Sequence, residues 1–274
     1  MTSLAVIITT YNRPDALRAV LTAYRSQKDR DFEMIVADDG STEETARVVA
    51  EMRAKADFKI THIWQEDRGF RAAKIRNRAL AATTADYVLF SDGDCIPLPG
   101  FVARHRRLAE PGWFLAGNRI LMSDAATGTV LGQHVPLWHW SYPRWISAAM
   151  TGQINRLLPL LPLPFATPLR KLPAKRWQGV MTCNLSAWRS DLLRINGFDE
   201  DYCGWGLEDS DLAIRLLHAG VRRKSVRFAA PVLHLWHREN DRGGLPDNQQ
   251  RLEELLRSDR MTANRGVGQY LTKR

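Results

Sequence analysis

The first hundred residues alternate between short apolar runs and amphipathic stretches. Four apolar runs predict strands, at residues 4–9, 32–37, 59–64 and 87–90. Three amphipathic stretches predict helices between them, at residues 14–27, 43–55 and 72–82. Because strands that alternate with helices are joined by crossover connections, this order predicts an α/β fold with a mostly parallel sheet covered on both faces.

Polar side chains follow three of these predicted strands. Residues 9–13 read Thr-Thr-Tyr-Asn-Arg, residues 38–41 read Asp-Asp-Gly-Ser, and residues 91–94 read Ser-Asp-Gly-Asp. The carboxyl ends of parallel strands meet at one edge of a sheet, and ligands of such sheets bind there. The sequence therefore predicts one crevice built from three strand ends.

Asp92 and Asp94 place two carboxylates directly after a buried strand. Such a pair suits a divalent cation that bridges a diphosphate, although Asp and Gly are also ordinary turn residues. Asp38, Asp39 and Arg76 are expected in the same crevice, where a carboxylate accepts from a uracil imide and a guanidinium pairs with phosphate. These expected neighbours favour a binding site over an ordinary turn at Asp92 and Asp94.

Two histidines, His234 and His237, follow an apolar run that predicts a strand over residues 226–233. A lone histidine is more often structural, but two at this spacing indicate a site. Mixed oxygen and imidazole ligation favours manganese over magnesium.

Residues 204–212 read Gly-Trp-Gly-Leu-Glu-Asp-Ser-Asp-Leu and begin a predicted helix that Gly220 ends. Glu208, Asp209 and Asp211 lie in its first turn, where acidic residues commonly act as caps. Trp205 between two glycines indicates instead an aromatic platform for a sugar ring beside a proton acceptor. Both interpretations of the acidic residues stay open at this stage.

Between residues 132 and 177 the sequence becomes rich in tryptophan, proline and basic residues. Residues 157–165 alternate leucine with proline, which forbids a regular helix, and the run is too short to span a bilayer. Two alternatives remain: a buried irregular insertion, or an apolar flap flanked by cations that contacts a membrane surface.

Composition limits the class of protein. A chain of 274 residues with 45% hydrophobic and 25% charged residues buries a full core as one large domain, or as a domain with a subdomain. The net charge of +9 favours anionic partners, but nucleic acid is not expected because no nucleic-acid-binding motif is present. Three scattered cysteines predict reduced thiols. Without a recognisable leader, the chain is expected in the cytoplasm, or peripherally on the inner face of the cytoplasmic membrane.

The motifs together carry a family resemblance. Residues 6–13, 36–41, 74–79, 90–94 and 195–211 resemble those of a family 2 glycosyltransferase of the GT-A fold. The C-terminal half is similar to the galactosyltransferase and chondroitin-polymerase branch. The resemblance implies a Rossmann-like, mostly parallel central sheet with helices on both faces and a C-terminal subdomain on the acceptor side. It also implies four regions: a nucleotide-sugar-binding half (1–130), the insertion (131–178), an acceptor and catalytic half (179–240), and a C-terminal helix with a basic tail (241–274).

The same resemblance assigns roles to individual residues. Donor binding falls to Thr9, Tyr11, Arg13, Asp38, Asp39, Arg76 and Asp92. A Mn²⁺ or Mg²⁺ ion is expected on Asp94, Asp92 and His237, with His234 as the alternative histidine. Acceptor binding falls to Trp205, Gly206 and Glu208, and Asp209 resembles the catalytic base, with Glu208 beside it.

The implied reaction is an inverting displacement from a UDP-sugar. Asp209 takes the proton of the acceptor hydroxyl while the metal and Arg76 stabilise the leaving diphosphate. With an ordinary pKa near ~3.9, Asp209 is expected to be ionised, and Glu208 and Asp211 to strengthen it as a base. The expected product is a hexosyl or N-acetylhexosaminyl unit on a glycan or lipid-linked glycan, such as a lipopolysaccharide or capsule precursor. The alternatives are a retaining transferase of this fold, a sugar nucleotidyltransferase, or a non-catalytic carbohydrate-binding module.

Overall fold

The chain folds around a seven-stranded sheet, in a computed structural model that describes residues 2–161, 167–239 and 241–271. The strands within these ranges are β1 (Leu4–Thr10), β2 (Glu33–Asp38), β3 (Ile60–Trp64), β4 (Tyr87–Asp92), β5 (Cys95–Pro97), β6 (Trp113–Ala116), β7 (Arg119–Leu121), β8 (Leu185–Trp188), β9 (Arg222–Ser225) and β10 (Val232–His234). The helices are α1 (Pro14–Arg25), α2 (Glu43–Lys55), α3 (Ala72–Ala81), α4 (Phe101–Leu108), α5 (Asp124–Gly132), α6 (Tyr142–Met150), α7 (Thr167–Arg170), α8 (Arg189–Arg194), α9 (Glu208–His218) and α10 (Leu245–Leu256).

The large sheet has the order β3-β2-β1-β4-β8-β6-β9. Strands β1 to β4 run parallel, β8 runs antiparallel to both of its neighbours, and β6 and β9 are parallel. Alternate residues of β1 enter opposite apolar layers: Val6 packs with α1 and α2, and Ile7 packs with α3 and α9. The predicted α/β fold with a mostly parallel sheet is confirmed. The sheet also takes strands from both sides of the predicted insertion.

The register of the first four strands brings the predicted polar ends together. Thr9 of β1 lies opposite Asp92 of β4, Thr10 lies opposite Asp38 of β2, and Asp38 lies opposite Trp64 of β3. Four strand ends therefore share one edge of the sheet.

A second sheet of three short strands, in the order β5-β10-β7, lies next to this edge. The predicted strand over residues 226–233 is wrong, because only Val232–His234 forms a strand there. The chain leaves the large sheet after Ser225 and turns through Phe228, which has a φ of 62°. An apolar run that forms first a turn and then a short strand has the same local pattern as one continuous strand. Only the distant strands that pair with it distinguish the two structures.

The region rich in tryptophan and proline contains a regular helix, α6. Its proline, Pro143, lies in the first turn, where no backbone hydrogen bond is lost. Trp145 and Leu160 are buried, whereas Leu158 is exposed, so the described part of this region is neither wholly buried nor wholly a flap. Residues 162–165 of the predicted apolar run lie outside the described residues. None of the described helices is long and apolar enough to cross a bilayer.

The C-terminal segment packs on the acceptor half. Helix α10 contacts Ile214 of α9 through Leu252 and Leu255, as an amphipathic helix is expected to do. The basic tail expected within residues 241–274 is packed on the protein as far as residue 271: Val267 is buried and its amide donates to the Asn196 carbonyl at 3.0 Å. Backbone hydrogen bonds hold this segment where its sequence lacks a periodic pattern.

Candidate functional site

Arg76 of α3 lies at the centre of the strand-end crevice. Its Nε donates to Thr9 Oγ1 at 2.9 Å, one terminal nitrogen lies 2.9 Å from Glu208 Oε1, and the other lies 3.3 Å from Asp92 Oδ1. The side chain is almost fully buried and lies over the Phe198 ring. One guanidinium thus joins three of the residues that the sequence assigns to donor and acceptor binding.

Asp38 and Asp39 at the end of β2 have different surroundings. Asp38 is fully buried, with one oxygen 2.9 Å from His62 Nε2 and the other accepting from the Ser41 amide at 2.8 Å. Asp39 accepts from the Gln65 amide group and from the Arg71 backbone, and burial raises its pKa. The contacts of Asp38 favour support of the turn over direct ligand contact.

The loop after β1 is hydrogen bonded to its neighbours. The Tyr11 hydroxyl donates to Asp67 Oδ2 at 2.8 Å, and half of the Tyr11 side chain remains exposed. Asn12, with φ of 45°, accepts from the Thr42 amide and donates its own amide to Ser41 Oγ. Asp67 was not indicated by the sequence, because its contact with Tyr11 spans 56 positions. Arg13 follows as the residue before α1 and pairs with Asp15.

Asp94 and both histidines form a cluster of potential metal ligands. A carboxylate oxygen of Asp94 and one ring nitrogen each of His234 and His237 all lie within 4.8 Å of one another. The pairing of β5 with β10 places Cys95, next to Asp94, opposite His234, which explains how residues 140 positions apart in the sequence meet. Asp92 lies on the Arg76 side of the same turn, where burial raises its pKa and Arg76 opposes that rise.

The orientation of the two imidazoles suits metal binding. The Nδ1 of His237 lies 2.6 Å from the Arg238 carbonyl, which only accepts, so Nδ1 carries a proton and Nε2 is the ring nitrogen directed at Asp94, 3.4 Å from Oδ2. Burial, reinforced by the nearby Arg119 charge, lowers the pKa of His234 to about 4, so this ring is neutral at pH 7. One carboxylate with two imidazoles is a mixed oxygen and nitrogen donor set, which favours manganese over magnesium.

Arg119 is a cation of this site that the sequence did not indicate. In the parallel pair β7–β10, Arg119 lies opposite Val232, two residues before His234, so both side chains are on the same face of the small sheet. Its charge opposes the burial that raises the pKa values of Asp92 and Asp94. Arg119 has no hydrogen bond or ion pair to any residue that the structure describes. It follows no local motif, so only the sheet register reveals it.

The three acidic residues at the start of α9 point in different directions. Glu208 pairs with Arg76, whereas Asp211 is fully buried against Arg215, whose Nε donates to it at 2.8 Å. The residue before the helix is Leu207, which has a left-handed φ of 75°, so none of the acids occupies the N-cap position. The expectation that Asp211 strengthens Asp209 as a base is wrong, because Asp211 is neutralised by Arg215 on the other side of the helix.

Asp209 is not an ordinary surface carboxylate. Burial is the main cause that raises its pKa to about 7, the neighbouring Glu208 charge adds to the rise, and Arg76 opposes it. The expected pKa near ~3.9 is therefore wrong, because that value belongs to a carboxyl group in water. Near neutral pH the group is present both as an acid and as a base, and it lies within the electrostatic reach of Arg76 and Asp92.

The loop before α9 carries the predicted sugar platform. Gly206 has a φ of 105°, a conformation that favours glycine, and Trp205 lies half-buried with the Arg242 guanidinium 5.1 Å from its ring centre. Asn248 of α10 is buried and donates to the carbonyls of Cys203 and Gly206 at 3.1 and 3.0 Å. Asn248 holds the platform loop from a helix that the sequence did not connect with the site.

Comparison with known families was consistent with this geometry. Residues 5–159 match the family described as glycosyl transferase family 2, and residues 169–238 match the N-terminal domain of galactosyltransferase. The first match spans the strand-end crevice and the second includes the acidic turn and His234.

Two relatives illustrate the extent of the similarity. The chain is 31% identical over 245 residues to validoxylamine A glucosyltransferase of Streptomyces hygroscopicus subsp. limoneus, covering 83% of this chain and 51% of that protein. It is 26% identical over 247 residues to chondroitin synthase of Escherichia coli, covering 82% of this chain and 34% of that protein. The chain thus spans about half, or less, of the length of these curated relatives.

Two solved structures share the fold. The mannosyltransferase PcManGT of Pyrobaculum calidifontis, in complex with GDP-Man and Mn²⁺, superposes with a TM-score of 0.64 at 18% identity, covering 93% of this chain and 64% of that chain. TarS 1–349 of S. aureus, in complex with UDP, superposes with a TM-score of 0.62 at 16% identity, covering 98% of this chain and 68% of that chain. At these identities the likeness concerns the GT-A fold.

Proposed function

Because this chain belongs to glycosyl transferase family 2 and is a glycosyltransferase, we propose that it is a metal-dependent, inverting enzyme that uses a UDP-sugar. It transfers a hexose or N-acetylhexosamine to a hydroxyl of a cell-surface glycan precursor, such as a lipopolysaccharide or capsule intermediate. The observation that carries this proposal is the Arg76 contact set. It brings Thr9 and Asp92 of the proposed donor site to Glu208 beside the proposed base.

Asp209 accepts the proton of the acceptor hydroxyl in this mechanism. Its pKa of about 7 is matched to proton transfer at neutral pH, where the ionised form is available and is still basic. Glu208 is held by Arg76 and is occupied in that ion pair, which leaves one carboxylate free to take a proton. A single base supports one displacement and inversion at the anomeric carbon, whereas retention through a double displacement needs a second, nucleophilic group.

Asp94 and His237 hold the metal, with Asp92 and His234 beside them. When bound, Mn²⁺ or Mg²⁺ supplies positive charge for the leaving diphosphate. The support is the donor set itself: one carboxylate and two imidazoles, with the His237 ring oriented by the Arg238 carbonyl.

Arg119 contacts the diphosphate of the donor. Arg76 was first assigned to that role, but its hydrogen bonds already go to Thr9, Glu208 and Asp92, so a second cation is needed at the mouth of the crevice. Arg119 lies on the face of the small sheet that carries His234 and has no protein partner among the described residues.

We therefore expect Arg119→Gln to weaken UDP binding in the presence of Mn²⁺ by about 10- to 100-fold, which is the loss expected for one charged hydrogen bond. Isothermal titration calorimetry measures it, and Arg47→Gln, an exposed arginine of α2, is the matched control. An unchanged dissociation constant in the Arg119 variant would remove it from the donor site.

The proposed function is tested by nucleoside diphosphate release. The protein is incubated with UDP-glucose, UDP-galactose, their N-acetylhexosamine counterparts and GDP-mannose, each with Mn²⁺, Mg²⁺ or a chelator. We expect release of UDP that depends on the metal, and a transferred sugar whose anomeric configuration is opposite to that of the donor. Release from GDP-mannose alone contradicts the proposed donor, and retained configuration by NMR contradicts the proposed mechanism. Asp209→Asn serves as the inactive control.

A further inference from the structure

Exposed apolar side chains are concentrated in one region far from the strand ends in sequence. Of the twelve large apolar side chains that are exposed among the described residues, six lie between residues 142 and 172. Three of them form a stripe on α6, because Tyr142, Ile146 and Met150 follow one another at intervals of four residues. On the opposite face of the same helix, Trp145 and Ala148 are buried in the core. Helix α6 therefore has a second apolar face that is exposed to solvent.

A cationic cleft adjoins this stripe. It has a volume of about 230 Å³ and is lined by Lys28, Pro99, Gly100, Ala103, Arg104 and Arg107, with no carboxylate in its lining. Arg104 donates to the Ala229 carbonyl, but Lys28 and Arg107 have no hydrogen bond or ion pair within the described part of the chain. Burial lowers the pKa of Arg104, the Arg107 charge lowers it further, and the nearby Tyr142 hydroxyl opposes the change. The Tyr142 end of the stripe therefore lies within electrostatic reach of Arg104, which lines the cleft.

We propose that the cleft of Lys28, Arg104 and Arg107 binds the phosphate of an anionic lipid headgroup while the α6 stripe of Tyr142, Ile146 and Met150 enters the acyl boundary of the membrane. The charge of the cleft is complementary to an anionic surface and to no cationic partner. An apolar helix face flanked by cations is the arrangement that lies in the plane of a membrane interface.

The surface differs from the one that the sequence indicated. The apolar run 157–165 was the predicted contact, yet Leu157 and Leu160 pack on the core and only Leu158 of that part is exposed. Two basic residues that follow that run in the sequence are also engaged elsewhere: Arg170 donates to the Ser225 and Arg227 carbonyls, and Lys171 pairs with Glu110. Lys28 and Arg107 of the cleft have no such partner among the described residues.

The test is sedimentation of the full chain with vesicles. We expect binding to vesicles of phosphatidylcholine with 30% phosphatidylglycerol at low salt, with loss of most of that binding at high salt, and little binding to pure phosphatidylcholine. Each interfacial cation raises the partition of a protein onto an anionic membrane roughly fivefold. The double variant Lys28→Gln/Arg107→Gln should therefore bind about 25-fold more weakly. The double variant Ile146→Ser/Met150→Ser should also lose binding.

Two matched controls fix the interpretation. Arg47→Gln and Leu256→Ser remove an exposed cation and an exposed apolar side chain outside this surface, and both should bind like the unchanged protein. Equal sedimentation of the cleft variant and its control overturns the headgroup site, and loss of binding in the cleft variant alone overturns the insertion of the stripe.

The occupant of the surface is tested in the same assay. Displacement from vesicles by millimolar inorganic phosphate at constant ionic strength identifies a free-phosphate site and overturns the proposal that the cleft binds a lipid headgroup. Self-association of folded protein that does not sediment with vesicles identifies a second copy of the chain as the occupant. Because no step of the assay needs turnover, its result is independent of the proposed reaction.

Discussion

Asp209 shows how burial sets the chemistry of a single side chain. Its carboxyl group loses hydration at the start of α9 and has Glu208 as its immediate neighbour, and both effects favour the protonated form. Arg76 limits the shift by favouring the charged form. The result is a group that exchanges its proton near neutral pH.

We expect kcat/KM to rise with pH through about 7, because only ionised Asp209 accepts a proton. Asp209→Asn should lose roughly 10²- to 10⁴-fold in kcat and also lose this rise, while binding of the donor is retained. A pH-rate profile with saturating donor, together with calorimetry, measures both. Asp247→Asn on α10 is the control. Near-normal turnover in a folded Asp209→Asn protein would refute the base assignment.

The same substitution should change stability with a defined sign. The folded-state pKa of Asp209 is raised, so the folded chain binds more protons than the unfolded chain between about pH 3.9 and about pH 7. Stability contributed by the protonated group is therefore lost as pH rises through that window. Asp209→Asn should melt at a higher temperature than the unchanged protein at pH 8, by a few degrees, and the difference should shrink towards pH 4.

We expect Asp94→Ala and His237→Ala each to weaken Mn²⁺-dependent binding of UDP, because both belong to one ligand cluster. The loss should be about 10-fold or more, and binding measured without metal should change little. Calorimetry with and without Mn²⁺ measures the difference. His139→Ala, a histidine outside the cluster, is the control. Unchanged metal dependence in His237→Ala would transfer the ligand role to His234.

At the scale of elements, the site depends on contacts between helices and loops that no motif records. Helix α10 contributes Asn248 to the loop 203–206, and α3 contributes Asn77, whose amide group donates to the Phe198 carbonyl at 2.9 Å and accepts from the Phe198 amide. These side chains satisfy buried backbone groups of the loops that lead to α9.

Asn248→Ala should therefore loosen the platform loop. Two buried carbonyls, of Cys203 and Gly206, lose their donor, and we expect a loss of about 1–3 kcal/mol in the free energy of unfolding. Hydrogen–deuterium exchange of residues 203–207 should become faster, and donor binding should stay unchanged. Gln250→Ala, on the exposed face of the same helix, provides the comparison. Equal exchange in both variants would mean that the loop is held by other contacts.

The sequence was sufficient for the elements whose pattern is local. The alternation of strands and helices up to β4 was predicted to within two residues at each boundary, because period-2 and period-3.6 patterns are properties of the segment itself. The predicted strand over 226–233 was wrong because the interruption at Phe228 depends on the pairing of β10 with β5 and β7. The expected pKa of Asp209 was wrong for a related reason. The burial of a side chain depends on the whole fold and cannot be inferred from the residues beside it in the sequence.

At the scale of the molecule, Arg76 connects the first strand with the start of α9. Its partners Thr9 and Glu208 are separated by 199 positions, since one lies at residue 9 and the other at residue 208. The guanidinium pairs with both Asp92 and Glu208 inside the protein, where an unpaired carboxylate is costly.

Arg76→Met should leave both of these carboxylates without a cation and lower stability by about 3–5 kcal/mol. It should also raise the pH at which activity appears, because Arg76 lowers the pKa of Asp209. Chemical denaturation and the pH-rate profile measure the two effects. If the variant does not fold, Arg76→Lys, which keeps the charge, should show the same shift in a weaker form. Arg78→Met, two residues further along α3 and bonded to the Trp64 carbonyl, should cause neither effect.

The small three-stranded sheet limits how this chain tolerates insertions. Cys95 pairs with His234 in β5–β10, and successive residues of a strand face opposite ways. One residue added between Ser225 and Val232 that shifted this pairing by one position would turn the His234 ring to the other face and away from Asp94. The connection between the two sheets therefore has a length that an engineered variant must keep if His234 is to stay beside Asp94.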